Sequence, residues 1–511
     1  MEWHEKALPA AGWDSCAQNL EKNKESGPAR FPADRRDRLA LLATAAVCVL
    51  AADSFWSLPA GAGLTALIWG WYALALTYLG RKCLRRGECR TLLAANLALA
   101  LTFSLTSDWY FRLWNFLALA ALVPIHAMAL SGAARMPWWR CAMLWERLTM
   151  TLRGVFGGLG ALPTALAGQG KNRRGLWTAA LGTVLAAALV LLLLPVLGSA
   201  DALFASVTAS FRAFVRRHLT ECAGKLLVGL VLTPFAFSLL YTLRRPLERR
   251  ERGPVRQPAA EPLIFLIVLS ALCGLYALFL AVQFRGLAGG AAYLESRGIS
   301  YSEWARSGFF QMAGVTAVNL TVLLCALQWS RRVQSLRFPA AVLVAESLAL
   351  LASAAIRMTL YVEVYGLSFR RMMTYWGMGM MAVFLLTGLV AALRPGFSFC
   401  RVAFAAALIG WLAVNCVPID ALVARDGVSR YLAGEASVDV HYLTWELSYD
   451  SLRPLEQLEN TDAARRYAAE YGISLSEDLA LRRSTAASEC SRWESWNLSA
   501  YLAARAPEAG A

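Results

Sequence analysis

The sequence predicts an all-α fold, in which a polytopic transmembrane bundle of about 11 spanning helices precedes a small helical C-terminal domain. Of the 511 residues, 58% are hydrophobic and only 17% are charged, whereas soluble domains carry about 25% charged residues. The apolar residues are gathered into runs long enough to cross a bilayer, and most charged residues lie between these runs. These features exclude an ordinary soluble enzyme, a disordered chain and a nucleic-acid-binding domain of normal composition.

Each predicted spanning helix corresponds to an apolar run of close to 20 residues, which is about the length needed to cross a bilayer. The first 38 residues are polar and show no signal-peptide pattern, so the first run is expected to be a retained helix. The runs fall at 39–57, 60–80, 91–107, 110–131, 175–198, 224–244, 262–284, 308–328, 339–362, 373–393 and 402–418.

The distribution of basic residues predicts the orientation of these helices. With the N-terminus inside, the inner segments contain 30 Lys and Arg residues and the outer loops contain 8. Inner loops of membrane proteins carry the excess of basic residues. The N-terminus is therefore expected inside, and an odd number of helices then places the C-terminus outside.

The chain divides into five predicted regions. A polar N-terminal cytoplasmic tail and the first four spanning helices come first, and a cytoplasmic amphipathic connection links them to about seven further spanning helices. The last region contains 15 acidic residues and nine Arg, which is typical of a separate helical domain. The boundaries are 1–38, 39–131, 132–174, 175–418 and 419–511.

Polar side chains inside predicted spans are candidate functional residues, because burying them in a bilayer is costly. Glu346 and Arg357 lie on the same run, almost on one helical face, with Ser353 between them. They could form a buried packing network or line a proton or solute pathway. His126, which follows a proline in its run, is interpreted as a packing residue, as are the Asn residues at 96, 115 and 319.

A second set of polar residues lies near the predicted outer surface. Its members either cap and pair locally or form a rim that binds an anionic or zwitterionic headgroup. The set comprises Asp201, Glu303, Arg306, Glu363, Tyr365, Arg370 and Arg371.

Partners are predicted from charge, and no cofactor or metal is expected. The eleven Cys are scattered without a Cys-x-x-Cys pair, and no nucleotide-binding or hydrolase motif is present. The expected partners are the lipid bilayer, anionic lipid at the basic cytoplasmic loops and a protein bound to the C-terminal domain, with no nucleic acid.

Several stretches resemble a bacterial membrane family known as domain of unknown function 4173, a relative of family 4153. The resemblance covers about residues 175–503. It rests on the order and spacing of these stretches more than on any single motif. The stretches are Leu194 to Phe204, Tyr301 to Phe310, Arg357 to Arg371, Asn415, Ala424-Arg425, Arg430-Tyr431, Asp439, Tyr442-Leu443, Ser448, Asp450, and Arg492 to Ser499. The family often has an Asn where this chain has Asp426. The resemblance implies a multi-helix protein of the bacterial inner membrane and supplies no catalytic residues.

Three functions remain open from the sequence. The first is a non-enzymatic sensor or envelope assembly factor that presents an exported helical domain. The second is a transporter of a small solute or lipid that uses Glu346 and Arg357. The third is a membrane-embedded transferase that would need Asp201, Glu303 or Glu363 to converge near the outer surface.

Overall fold

A computed structural model describes most of the chain. The residues described are 33–56, 61–80, 84–132, 142–167, 189, 220–245, 260–288, 309–330, 333–394 and 396–505. The predicted run at 175–198 and the predicted outer-surface residues Asp201, Glu303 and Arg306 lie outside these residues, apart from residue 189.

The described part of the chain is helical and contains no strand, which confirms the predicted all-α class. The longer helices are α1 (Arg35–Trp56), α2 (Ala62–Leu79), α3 (Gly87–Leu105), α4 (Trp109–Leu130), α5 (Ala142–Gly157), α6 (Ala161–Ala167), α7 (Thr220–Arg244), α8 (Pro262–Ala288), α9 (Phe309–Trp329), α10 (Arg337–Tyr365), α11 (Phe369–Leu393), α12 (Phe399–Asn415) and α13 (Ile419–Leu432). The C-terminal segment adds α14 (Leu452–Leu455), α15 (Asp462–Tyr471), α16 (Leu475–Cys490) and α17 (Leu498–Ala504), with short π and 3-10 turns between α13 and α15.

Eight of the described helices are long and apolar enough to cross a membrane. A ninth span is possible if α12 and α13, which are bent by 50° at a short break, are counted together. Helix α9 coincides with a predicted run, but its apolar part covers only Ala313–Leu327. The predicted count of about 11 is therefore not confirmed, although a polytopic helical bundle is.

Helix ends follow local side-chain chemistry. Asp108 caps α4 by accepting a hydrogen bond from the backbone N–H of Tyr110. Helix α10 ends at Gly366, whose φ of 73° is a left-handed conformation that favours glycine. Ser474 and Glu477 form a capping box at the start of α16, each side chain bonding the other residue's backbone N–H.

The chain divides into two compact units, of which the first comprises Met1–Ala52, Leu74–Gly80 and Thr151–Leu247. Within its described residues, the Arg244 guanidinium forms ion pairs with Asp34 and with the fully buried Asp37. The shortest distance from a guanidinium nitrogen to a carboxylate oxygen is 2.8 Å in both pairs. The hydroxyl of Tyr78 donates to the same Asp37 carboxylate, and the Arg244 guanidinium lies 5.2 Å from the Tyr78 ring centre. This charge cluster ties α1, α2 and α7 together near one end of each helix.

The second unit comprises Asp53–Ala73, Arg81–Met150 and Glu248–Ala511. Three of its helices are joined by buried polar contacts: Tyr276 of α8 donates to Asn319 of α9 at 2.8 Å, and Asn319 donates to Ser347 of α10 at 2.9 Å. The C-terminal domain, from α13 to α17, packs around an apolar core that also includes Phe111 of α4 and Val414 of α12. Leu455, Leu458 and Leu479 are fully buried in this core.

Candidate functional site

The C-terminal domain is hydrogen-bonded to the start of α2 through backbone groups. The N–H groups of Gly61 and Gly63 donate to the carbonyl of Glu494 at 2.9 and 3.0 Å. The N–H of Ala62 donates to the carbonyl of Trp496 at 2.9 Å. A Cβ on Gly61 would lie 2.5 Å from the Ser495 carbonyl oxygen, so only glycine permits this approach.

The same domain contacts the short connection between α3 and α4. Ser107 is the centre of this contact, because its hydroxyl lies 3.0 Å from the Ser499 hydroxyl and accepts from the Tyr449 N–H at 3.2 Å. Ser499 in turn donates to Asp450 at 2.6 Å. These partners lie far apart in sequence, so the contact exists only in the folded protein.

A third contact holds the connection between α10 and α11. Asp426 accepts a hydrogen bond from the N–H of Leu367 at 2.7 Å, and Tyr442 accepts one from the N–H of Phe369 at 3.2 Å. Arg430 lies 3.7 Å from Asp426 and donates to the carbonyl of Glu363 at 2.5 Å. The C-terminal domain therefore rests on three separate connections of the bundle.

A cavity of about 790 Å³ opens where the domain meets α3 and α4. The bundle contributes mainly apolar and aromatic side chains, together with Ser107 and Arg112, and the domain contributes charged and aromatic side chains. The lining residues are Phe55, Leu64, Phe103, Ser107, Trp109, Arg112, Leu113, Phe116, Trp445, Glu446, Leu447, Ser448, Tyr449, Arg482 and Glu489.

Arg482 organises the polar wall of this cavity. Its guanidinium lies 5.3 Å from the ring centre of Trp445 and 4.8 Å from that of Tyr449, and it donates to the carbonyl of Leu447 at 3.0 Å. Burial lowers the pKa of Arg482 from its usual value, yet the group stays a cation because Arg titrates far above neutral pH. Tyr449 donates to Glu489 at 2.8 Å, which fixes that carboxylate beside the guanidinium.

Buried carboxyl groups lie close to the cavity. Burial, and then the charge of Asp420, raises the pKa of Asp108 to about 7. Burial likewise raises the pKa of Asp450. One oxygen of Asp420 accepts from the N–H of Ser448 at 2.9 Å, while the other is buried without a hydrogen-bond partner among the described residues. The site therefore holds a carboxyl group that titrates near neutral pH.

The two charged residues predicted within the membrane do not contact each other. Glu346 and Arg357 both lie on α10, but eleven residues of helix place them about 16 Å apart. Arg357 and Ser353 are buried, whereas Glu346 is half-buried with one carboxylate oxygen lacking a hydrogen-bond partner among the described residues. His126 is fully buried, with Nδ1 2.9 Å from the Tyr72 hydroxyl, to which Asn96 also donates.

The described part of the predicted outer rim is a local cluster around the end of α10. Arg371 donates to the carbonyls of Tyr365 and Gly366, and its guanidinium lies 4.5 Å from the ring centre of Tyr361. Glu363 and Arg370 are exposed. Because Asp201, Glu303 and Arg306 lie outside the described residues, the convergence required of a transferase is not tested.

Sequence reasoning missed the cavity residues, among them Arg112, Tyr449, Arg482 and Glu489. Arg112 carried a usable signal, since it is a charged residue in the first turn of a predicted span. The others belong to an acidic domain in which charge alone singles out no position. Two residues that carry the family resemblance make docking contacts, namely Tyr442 and Ser499. Two others, Ser448 and Asp450, form hydrogen bonds within the domain.

Comparison with known proteins identifies a family. Residues 93–458 match the family described as Domain of unknown function (DUF4153). No curated protein and no solved structure matches the chain. The match covers most of the spanning helices and the first part of the C-terminal domain, and ends before the Arg492 to Ser499 stretch.

Proposed function

This chain belongs to the DUF4153 family, whose description names no activity, and from that premise we propose that it is a non-enzymatic sensor or assembly factor of the bacterial envelope. In this proposal it lies in the cytoplasmic (inner) membrane, with the N-terminus inside and the C-terminal domain outside. The basic inner loops contact anionic lipid, and the domain binds a protein partner.

The observation that carries the proposal is the docking of the C-terminal domain on three connections of the bundle. Backbone groups of Gly61, Ala62 and Gly63, together with Ser107 and Leu367, bond to the domain. A domain held at several points moves with the helices beneath it, so binding on its surface can bias the bundle. The charge distribution supports the orientation, since these connections fall at the loops with few basic residues.

Site-specific photo-crosslinking in cells tests the proposal. A crosslinker at Leu481, whose side chain is 48% exposed on α16, is expected to capture a specific envelope protein. The matched control is Leu386, which is also 48% exposed but lies on the spanning helix α11 and should capture only lipid. Crosslinks to lipid alone at both positions would contradict the proposal. A captured protein would also contradict it if deleting that protein does not reproduce the phenotype caused by deleting this chain.

Glu346 supports a second candidate, a transporter of a small solute or lipid. Its carboxylate lies within a span and has an oxygen without a hydrogen-bond partner among the described residues, which is costly in a bilayer. Thermal unfolding in detergent distinguishes the two candidates. It is measured for Glu346→Gln, Arg357→Met and the double variant. We expect Arg357→Met to lower the midpoint, because Arg357 is a buried packing residue; full stability of all three variants would favour the transporter.

A further inference from the structure

The apolar part of the 790 Å³ cavity includes exposed side chains of helices that are apolar enough to span a bilayer. Phe55, Leu113 and Phe116 line it, and their side chains are between 39% and 47% exposed although they lie on α1 and α4, which are apolar enough to span a bilayer. The rings of Phe55 and Phe116 pack edge to face, 5.8 Å apart. Exposed apolar side chains on spanning helices contact acyl chains, so lipid can reach this wall directly.

The part of the cavity that the C-terminal domain contributes has an incompletely satisfied cation. Arg482 uses one terminal nitrogen to bond the Leu447 carbonyl, but its Nε is buried without a hydrogen-bond partner among the described residues. Buried donors are normally satisfied by protein, water or a ligand. A guanidinium offers donors in a fork that matches phosphate oxygens. Because Arg482 lines the cavity and its guanidinium is incompletely satisfied, an oxyanion is favoured beside it.

The balance of charged side chains in the cavity indicates which kind of phospholipid headgroup fits it best. Its lining carries Arg112 and Arg482 against Glu446 and Glu489, so the formal charges cancel. Glu489 is held by Tyr449, whereas Glu446 is exposed. Because these charges cancel, a purely anionic headgroup would give the occupied cavity a net negative charge. A headgroup that combines a phosphate with an ammonium matches both signs.

We propose that this cavity binds a membrane phospholipid with a zwitterionic headgroup of the phosphatidylethanolamine class. An acyl chain lies against Phe55, Leu113 and Phe116, the phosphate accepts from Arg482, and the ammonium lies near Glu446. The volume fits part of such a lipid, because ligand sites are typically about 300–1,000 Å³. This inference is independent of whether the protein is a sensor, an assembly factor or a transporter.

Lipid retention by the full chain tests the proposal. The protein is reconstituted into mixed phosphatidylethanolamine and phosphatidylglycerol bilayers, extracted in mild nonionic detergent and purified, and the bound lipid is counted by phosphorus assay and identified by mass spectrometry. The parent is expected to retain a single phospholipid, enriched in phosphatidylethanolamine over the bilayer. Retention of none, or of phosphatidylglycerol at its bilayer proportion or above, overturns the proposal.

Two pairs of variants locate the lipid. Leu113→Trp fills the apolar wall and should lose the lipid several-fold, while Leu386→Trp, at an equally exposed spanning position outside the cavity, should retain it. Arg482→Gln should weaken binding about tenfold, while Arg465→Gln, at a 77% exposed side chain of the same domain, should not. Equal retention by Leu113→Trp and Leu386→Trp overturns the proposal even if Arg482→Gln fails to fold.

Titration with inorganic phosphate separates a lipid site from a free-phosphate site. Inorganic phosphate lacks the acyl chain, so it should not displace the retained lipid from the parent. Displacement by phosphate alone, or phosphate binding that persists unchanged in Leu113→Trp, would assign the polar wall to a free anion and overturn the proposal.

Discussion

At the scale of single residues, buried polar side chains act as fixed points between helices. Asn115 of α4 is 1% exposed and donates to Thr102 of α3 at 2.8 Å and to Asn415 of α12 at 2.7 Å. Its carbonyl accepts from the indole N–H of Trp411 at 2.6 Å. The sequence predicted that this Asn bonds between helices, but it named none of the three partners.

Replacement of Asn115 should destabilise the bundle. Asn115→Ala leaves Trp411, Thr102 and Asn415 without this partner, and we expect a loss of about 1–3 kcal/mol in the free energy of unfolding. Thermal unfolding in detergent measures it. Thr321→Ala is the control, because Thr321 is exposed and bonds only to a carbonyl of its own helix. Equal midpoints for the two variants would contradict the prediction.

Asp108 should make stability depend on pH. Its pKa rises from 3.8 to about 7 in the folded protein, so the folded state holds a proton that the unfolded state releases. The contribution of Asp108 is fully present below about pH 4 and is lost as pH rises to about 7. We expect the thermal midpoint of Asp108→Asn, which keeps a capping side chain, to fall less than that of the parent between these pH values. Parallel curves for parent and variant would show that Asp108 is not responsible.

At the scale of elements, connections between helices are where the domain attaches. Glycine at 61 allows backbone to approach backbone, and glycine at 366 supplies the left-handed turn that ends α10. Asp426 bonds the connection that follows Gly366. The family resemblance points away from a role for this position, because the family often has Asn there. A carboxylate serves as the acceptor equally well.

A methyl group at position 61 should loosen the domain from α2. In Gly61→Ala the new Cβ would lie 2.5 Å from the Ser495 carbonyl oxygen, so the backbone contact must open. We expect faster limited proteolysis between α16 and α17 and a lower thermal midpoint. Gly70→Ala is the matched control, since no atom lies within 4 Å of its Cβ position and alanine favours helix. Similar cleavage rates for both variants would count against this account of the contact.

At the scale of the whole molecule, the side of the membrane on which the C-terminal domain lies depends on all of the spanning helices together. The connections that bear the C-terminal domain correspond to loops with few basic residues, whereas the inner segments carry most of the Lys and Arg. A domain that bonds to several connections must lie on the same side as each of them. The distribution of basic residues and the docking contacts together therefore predict that the C-terminal domain lies outside.

Reporter fusions test that orientation. We expect alkaline phosphatase, which folds only outside the cytoplasm, to be active when fused after residue 505 and inactive when fused within 84–86, in the predicted inner segment 81–90. A fluorescent protein that matures only inside should give the reverse pattern. Phosphatase activity at 84–86 with none after residue 505 would invert the proposed topology.

The amino-acid composition and the apolar runs by themselves determined that this is a helical membrane protein, and they predicted an acidic C-terminal domain. The preference of a segment for lipid or water is the sum of the preferences of neighbouring residues, so it can be predicted from the local sequence. Most of the predicted runs accordingly coincide with helices. Only the tertiary structure decided which polar groups meet. Asn115 and Asn415 are 300 residues apart, and Ser107 and Ser499 are 392 apart. Contacts over such separations depend on how every intervening helix packs, so the cavity at Arg482 has no local signature in the sequence.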